Sequence, residues 1–471
     1  EICIRLDGMP LAIELAAARV KMLTVEEISD RLTGVLGARF VLLTQGSRTA
    51  LPRHQTLRAA IDWSYALLDP AERQLFRQTA IFRGGFTLDA LEQIAEIGAP
   101  GHSSSIPSGL DLLTQLVDKS LVIVEPHGAQ HRYRLLETLR EYALEQFSTS
   151  EELTLLQARH AAFFLAFAEQ AEPELVRAQQ HTWLNRLEIE HPNLRAALDY
   201  LLANADSELA LRLATALHRF WEYRGYVSEG RDWLRKALTT CEATTGELVA
   251  KALTASGWLA YRQGELEQGR RFLQESLHLF QQAEDGIGMV GALQILSVIE
   301  MDQGDYPAAQ QCLEQSLSLA HALNDEVGIA RGLKYAGGLA WDQDRIAEAR
   351  DHYRESLHRY QRLGDQVSIA NLLLNVGDTE RLLHDVVAAQ ANYEECLKLA
   401  RILGHKGLIG AALKSLGMLA FKREDYEQAR GYGEDALAIL RELGDRSHIA
   451  FALSNLADVA RKLGDYNQAL L

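Results

Sequence analysis

Gly264-Glu265-Leu266 returns as Gly304-Asp305-Tyr306, Asp344-Arg345-Ile346, His384-Asp385-Val386, Glu424-Asp425-Tyr426 and Gly464-Asp465-Tyr466, 40 residues apart each time. Gly225-Tyr226-Val227 stands 39 residues before the first of these. The same step governs the apolar positions. Leu253, Leu293, Leu333, Leu373, Leu413 and Leu453 share one register, and four residues later stand the small residues Gly257, Ser297, Gly337, Gly377, Gly417 and Ala457. In the second half of each unit Leu277, Leu317, Leu357, Leu397 and Leu437 keep step, as do Gly269, Ala309, Ala349, Ala389 and Ala429. A second turn recurs at Asp285-Gly286, Asn324-Asp325, Gly364-Asp365 and Gly444-Asp445. Each unit therefore reads as two antiparallel helices. Gly supplies the left-handed residue that ends the first helix, and Asp caps the second. A single helix pair cannot bury its own apolar stripe, so neighbouring pairs must stack.

Composition agrees with a helical protein of several parts. At roughly 100–200 residues per domain, 471 residues allow about three units or one unit with an array. Apolar residues make up 47%, which excludes wholesale disorder. The net charge of −16 lacks the broad basic footprint of a nucleic-acid binder. Cys3, Cys241, Cys312 and Cys396 form no Cys-x-x-Cys pair, and we read them as reduced and buried, in a cytoplasmic protein. No stretch reaches the roughly 18 apolar residues of a membrane span. The longest apolar run, residues 161–168, reads as a core helix. The chain opens at Glu1 and stops within a helical pattern at Leu471, so we expect more sequence on both sides.

The spacing within the units carries a specific resemblance. Gly257 to Gly269 is a step of 12, and Gly269 to Ser276 a step of seven. The units resemble tetratricopeptide repeats lengthened from about 34 residues. Leu253 and its equivalents replace the usual Trp, and Ser276, Ser316 and Ser356 replace the usual second Ala. The resemblance implies that the first helices form a concave wall that binds a protein, a peptide or a small effector. Mapped onto this register, the wall would carry Lys251, Arg331, Lys334, Trp341, Asn371, Asp378, Arg381, Lys414 and Phe421. These positions vary from unit to unit while the core does not.

Residues 1–150 do not repeat. Thr24-Val25-Glu26-Glu27 is a capping box, and Asp69-Pro70-Ala71-Glu72 reads as N-cap, N1 proline and N3 glutamate. Helices are expected over about 56–68, 70–81, 87–97 and 110–119, then a β-hairpin with its turn at 126–130, and a helix over 136–147. The last three of these helices, followed by the hairpin, describe a winged helix-turn-helix. Further on, Glu190-His191-Pro192-Asn193 predicts a helix break and restart within an adaptor.

Several short motifs stand in order: Gly8-Met9-Pro10-Leu11-Ala12, Arg48-Thr49-Ala50-Leu51-Pro52-Arg53-His54-Gln55-Thr56-Leu57, Leu116-Val117-Asp118-Lys119-Ser120-Leu121, and Tyr133-Arg134-Leu135-Leu136-Glu137-Thr138-Leu139-Arg140-Glu141-Tyr142-Ala143. Together they resemble STAND-class ATPases, and more narrowly the NB-ARC type of bacterial LuxR-type and AfsR-like transcriptional regulators. The resemblance implies four parts. Residues 1–45 end the helical domain, 46–150 form the winged helix, 151–208 an adaptor and 209–471 the repeats. It implies that Gly8 and Pro10 face a nucleotide held by an upstream domain, ATP or ADP being the cofactor of the whole protein and not of this segment. The winged helix would hold the inactive state. Leu135-Leu136-Glu137 lacks the histidine that plant relatives place there, which puts a direct phosphate contact at that point in doubt.

No Gly-Lys dipeptide occurs, so the chain has no P-loop lysine to cradle phosphate and is not expected to be an enzyme. The recognition-helix candidate, 110–119, carries Asp111 and Asp118 against a single lysine, so direct DNA binding is not expected. His131, Arg132 and Arg134 make only a small basic spot on the hairpin. His127 and His131 flank a turn and are read as hairpin residues, not metal ligands. The expected fold is mainly α, a winged helix-turn-helix followed by an α-solenoid of tetratricopeptide-like hairpins. The expected role is the sensing and relay portion of a regulator, with a stand-alone tetratricopeptide scaffold as the alternative.

Overall fold

The computed structural model describes residues 23–31, 57–95, 108–127, 130–147, 150–240, 246–443 and 446–465, with four isolated positions before Leu23. Gly8, Pro10, Cys3 and Cys241 lie outside the described residues. The chain divides into two compact units. One takes in Glu1–Phe167 with Ile189–Asn204, the other Ala168–Glu188 with Ala205–Leu471.

In the first unit α1 is Val25–Arg31, and Thr24 and Glu27 close its capping box through reciprocal bonds of 3.1 and 2.8 Å. Next come α2 (Leu57–Ala66), α3 (Pro70–Thr79), α4 (Leu88–Ala95) and α5 (Gly109–Asp118). Asp69 and Glu72 form the second capping box, with Pro70 at the first helical position. The hairpin joins β1 (Ile123–His127) to β2 (Gln130–Arg134). Its register pairs Pro126 with His131, so the strands run further into the turn than the sequence suggests. Helix α6 (Glu137–Glu145) follows. Phe76, Leu113, Leu116 and Tyr142 are buried, and α3 packs against α4, α5 and α6.

Helices α7 (Ser150–Glu174) and α8 (Gln180–Ala203) contribute residues to both units. The predicted break at Pro192 is corrected: α8 runs through it as one helix. A proline inside a helix forfeits one amide bond and crowds the preceding turn. Here its ring is seated on Gly84, where a Cβ would stand 2.9 Å from Pro192 Cγ. Gly84 also holds φ at +77°, a backbone setting that suits glycine.

The second unit stacks helical hairpins. They are α9 (Ser207–Arg224) with α10 (Val227–Thr240), α11 (Gly246–Arg262) with α12 (Leu266–Gln282), and α13 (Gly286–Asp302) with α14 (Tyr306–Leu323). Then come α15 (Glu326–Asp342) with α16 (Ile346–Leu363), α17 (Gln366–Leu382) with α18 (Val386–Leu403), α19 (Lys406–Lys422) with α20 (Tyr426–Leu443), and finally α21 (Arg446–Leu463). Each helix packs on its hairpin partner and on the next hairpin. The turn aspartates cap as the repeat predicts: Asp305, Asp385 and Asp425 accept from the amides of Ala308, Ala388 and Gln428 at 3.0–3.1 Å. The serines that replace alanine are buried. Ser276 Oγ donates to Ala250 O at 2.8 Å and Ser356 Oγ to Ala330 O at 2.6 Å, tying second helix to first.

The left-handed turn position is shared unequally. Gly264, Gly304 and Gly464 hold it at φ near +80°, but Asp344, His384 and Glu424 hold the same position at +59°, +66° and +62°. A side chain there costs roughly 1–2 kcal/mol because Cβ crowds the carbonyl. Asp344→Gly, His384→Gly and Glu424→Gly are each expected to stabilise the array by about 1 kcal/mol. Urea midpoints of the three variants check this, and midpoints at or below the parent's would contradict it.

Candidate functional site

In the first unit the two arginines of the basic spot on the hairpin are paired with carboxylates of the same unit. Arg132 is only 8% exposed, and its guanidinium forks onto both oxygens of Glu190. It also donates to Gly85 O at 3.0 Å and Gly84 O at 3.3 Å. Asn193 completes the cluster, with Nδ2 donating to Glu190 at 2.7 Å and to Gly85 O at 2.9 Å, and Oδ1 accepting from the Arg83 amide at 2.7 Å. Arg134 pairs with Glu125 at 2.6 Å. The outward face of α5 carries Asp111, Thr114, Gln115 and Asp118, and Lys119 at its end binds the buried carboxylate of Glu72. A phosphate backbone would thus meet carboxylates on this helix. Nearby, His160 lies between Phe82 and Phe164, and burial pushes its imidazole down to about 4.

The second unit holds a cavity of about 330 Å³. Its wall is built from successive first helices, because residues spaced 40 apart return to the same face. Arg219, Glu222 and Tyr223 come from α9, Lys251, Thr254 and Trp258 from α11, Gly288 and Gly291 from α13, Arg331, Lys334 and Tyr335 from α15, and Ser368 and Asn371 from α17. The remaining side is the end of α7 and the segment after it, through Glu172 and Val176. That segment is fastened across the array. Gln180, fully buried, accepts from the Val367 amide at 2.9 Å and donates to Leu175 O at 2.6 Å. Ala178 sits against Gly364, which has no Cβ to displace it.

Electrostatics inside the cavity are uneven. Asp365 is committed to the start of α17, accepting from the Ser368 amide at 3.0 Å and hydroxyl at 2.7 Å. Glu222 pairs with Arg262 at 3.0 Å. Burial raises the Glu172 carboxyl above its usual range, and it pushes His218 down to about 3, helped by the Arg219 charge. His218 is therefore neutral, with Nδ1 donating to Thr215 O at 2.7 Å. Burial works against the Lys334 ammonium, yet Tyr335, Tyr360 and Glu222 outweigh it and hold its pKa up. Lys334 Nζ stands 4.7 Å from the Tyr335 ring centroid.

Of the residues assigned to the wall by register, Lys251, Arg331, Lys334 and Asn371 meet at this cavity. Lys414 and Phe421 line a separate apolar recess of about 160 Å³ with Met418, Leu456 and Val459. Asp378 accepts from Tyr393 Oη at 2.6 Å and faces Arg381 at 3.8 Å. Trp341 packs against the core of its own layer. Register alone did not single out Arg219, His218, Tyr223 or Glu172, which lie before the strict repeat begins. Extending the 40-residue step back from Lys251 and Trp258 would have reached α9. Among the described residues no group of three or more His, Cys, Asp or Glu could hold a metal, and no helix is long and apolar enough to cross a membrane. Burial pushes the Cys396 thiol up to about 12, so it behaves as a core side chain.

A tetratricopeptide-repeat family model matches residues 328–402, 368–442 and 408–471. A Mycobacterium tuberculosis protein named "Putative HTH-type transcriptional regulator" is 41% identical over 268 residues, covering 55% of this chain and 29% of that protein. A second protein of that organism, named only as uncharacterized, is 44% identical over 160 residues, covering 34% of this chain and 39% of its own length. The chain thus spans less than half the length of these relatives. A solved STAND protein with a tetratricopeptide repeat sensor from Pyrococcus horikoshii aligns with 97% of this chain and 70% of its own, at 14% identity and a TM-score of 0.49. This chain carries tetratricopeptide repeats and is similar in sequence to proteins named as transcriptional regulators.

Proposed function

We propose that this chain is the sensing and relay portion of a STAND-type transcriptional regulator of the NB-ARC, LuxR-like kind, working in the cytoplasm. The array captures a protein, peptide or small effector at the inner faces of its first helices. The winged-helix unit passes the bound state to a nucleotide switch ahead of Glu1. Capture shifts a closed-to-open equilibrium because the ligand binds one state better than the other. The chain binds and does not transform, and DNA reading falls to another domain. The observation that carries this reading is the cavity assembled by five consecutive first helices. The 41% identity to a protein named as a regulator supports the setting. A second reading, a stand-alone scaffold, draws on the family match, which falls wholly within the repeats.

The complete reading frame decides between them. A nucleotide-binding domain with Gly-x-x-x-x-Gly-Lys-Ser/Thr preceding Glu1 is expected. A frame without one would leave the scaffold and end the switch.

A further inference from the structure

We infer that the cavity of the repeat unit takes an organic anion, a carboxylate or phosphate carried on a small planar body, gripped by Arg219, Arg331 and Lys334. The inference rests on the sensing role proposed above and gives its ligand a chemistry.

The first argument is unspent positive charge. In a chain of net charge −16, three cations converge on one recess. Among the described residues none of the three has a carboxylate within ion-pair distance. Arg331 Nε is held by a neutral acceptor, Gln294 Oε1, at 2.5 Å. Gln294 is fully buried and cannot turn away, because its Nε2 donates to Gly328 O at 2.7 Å. Lys334 rests over a tyrosine ring. A cation held by neutral groups in a low-dielectric recess keeps its capacity to bind an anion, and it binds more strongly there than at the surface. Of the carboxylates on the same lining, Glu222 pairs with Arg262, Asp365 accepts from the Ser368 hydroxyl, and Glu172, whose pKa burial raises, faces Arg219 and Lys251.

Shape gives the second argument. Gly291 leaves open the space beside the guanidinium, where a Cβ would lie 3.6 Å from Arg331 Nη2, and Ile287 and Ile295 line the same wall. Trp258, Tyr335 and Tyr360 supply flat apolar surface. The volume of about 330 Å³ sits at the small end of ligand pockets, which suits one ring with a charged group or the last residues of a peptide.

Calorimetric titration of the whole chain tests this with phenyl phosphate, inorganic phosphate and phenol. Phenyl phosphate is expected to bind about tenfold or more tightly than either fragment. Lys334→Met should weaken it by about ten- to a hundredfold, and Arg350→Gln, on the outer pair with Asp351, should leave it unchanged. Arg331→Gln serves if Lys334→Met does not fold. A second arm titrates acetyl-Ala-Ala-Phe as free acid and as amide. Preference for the acid assigns the anion to a peptide end, and phenyl phosphate binding alone assigns it to a free small molecule; either supports the site. Phenol binding as well as phenyl phosphate, no anion bound in either arm, or full binding by Lys334→Met would overturn it. A nucleotide domain found upstream with no anion binding here would remove this inference and leave the regulatory reading intact.

Discussion

Arg132→Met is expected to lower the stability of the amino-terminal unit by about 3–5 kcal/mol, the cost of breaking one side of a buried ion pair. Both side chains are sheltered, at 10% exposure for Arg132 and 12% for Glu190. Removing the guanidinium leaves a buried carboxylate with Asn193 as its one donor among the described residues, and strips Gly84 O and Gly85 O of a shared one. Arg132→Lys should recover part of the loss, since an ammonium keeps the charge but cannot span both Glu190 oxygens and two carbonyls. The double variant Arg132→Met, Glu190→Met should be more stable than Arg132→Met alone, because no charge is then left unpaired. The chain has two units, and a readout local to the first isolates the loss there. Hydrogen exchange at the amides of Phe86 and Tyr133, which bond each other's carbonyls at 2.7 and 2.8 Å, reports this unit directly. Exchange at both amides unchanged in Arg132→Met would show that the cluster contributes nothing.

The array was legible because it aligns with itself. Leu253 and its five equivalents, the capping aspartates and the left-handed glycines are local rules, and the 40-residue step repeats each of them until coincidence is excluded. What escaped the sequence depends on partners far along the chain. Pro192 reads as a helix break until Gly84, more than a hundred residues earlier, is found beneath its ring. Gln180 carries no motif, and its bond to Val367 spans 187 residues. The site was half legible for the same reason. Register placed Lys251, Arg331, Lys334 and Asn371 on one face, and they share a cavity. It also grouped Trp341, Arg381 and Phe421, which occupy one register position but do not reach that cavity: Trp341 packs on the core, Arg381 faces Asp378, and Phe421, 5.5 Å from the Tyr426 ring between centroids, lines the separate recess. Periodicity fixes a direction from the helix axis. It does not say whether a neighbour's side chain already fills that direction.

That limit is testable at the small residue that each first helix turns toward its partner. Gly337→Ser is expected to destabilise the array by about 2–3 kcal/mol, the upper range for overpacking. A Cβ at Gly337 would stand 2.5 Å from Tyr353 Cδ1 and 2.6 Å from Cε1, well inside contact distance. Tyr353 is 6% exposed, so its ring has little room to retreat. The neighbouring unit shows the cure, for the equivalent positions there are Ser297 and Leu313. Gly337→Ser with Tyr353→Leu should therefore recover much of the lost stability, a coupling that contact between the two sites requires. Gly417→Ser is the control. At that position the nearest atom to a Cβ is 3.5 Å away, and serine gains helix propensity over glycine, so its cost should stay within about 0.5 kcal/mol of zero. Urea midpoints of the four proteins decide the matter. Equal midpoints for Gly337→Ser and Gly417→Ser would mean that the aromatic ring does not close the interface, and that the array tolerates any small residue wherever the period asks for one.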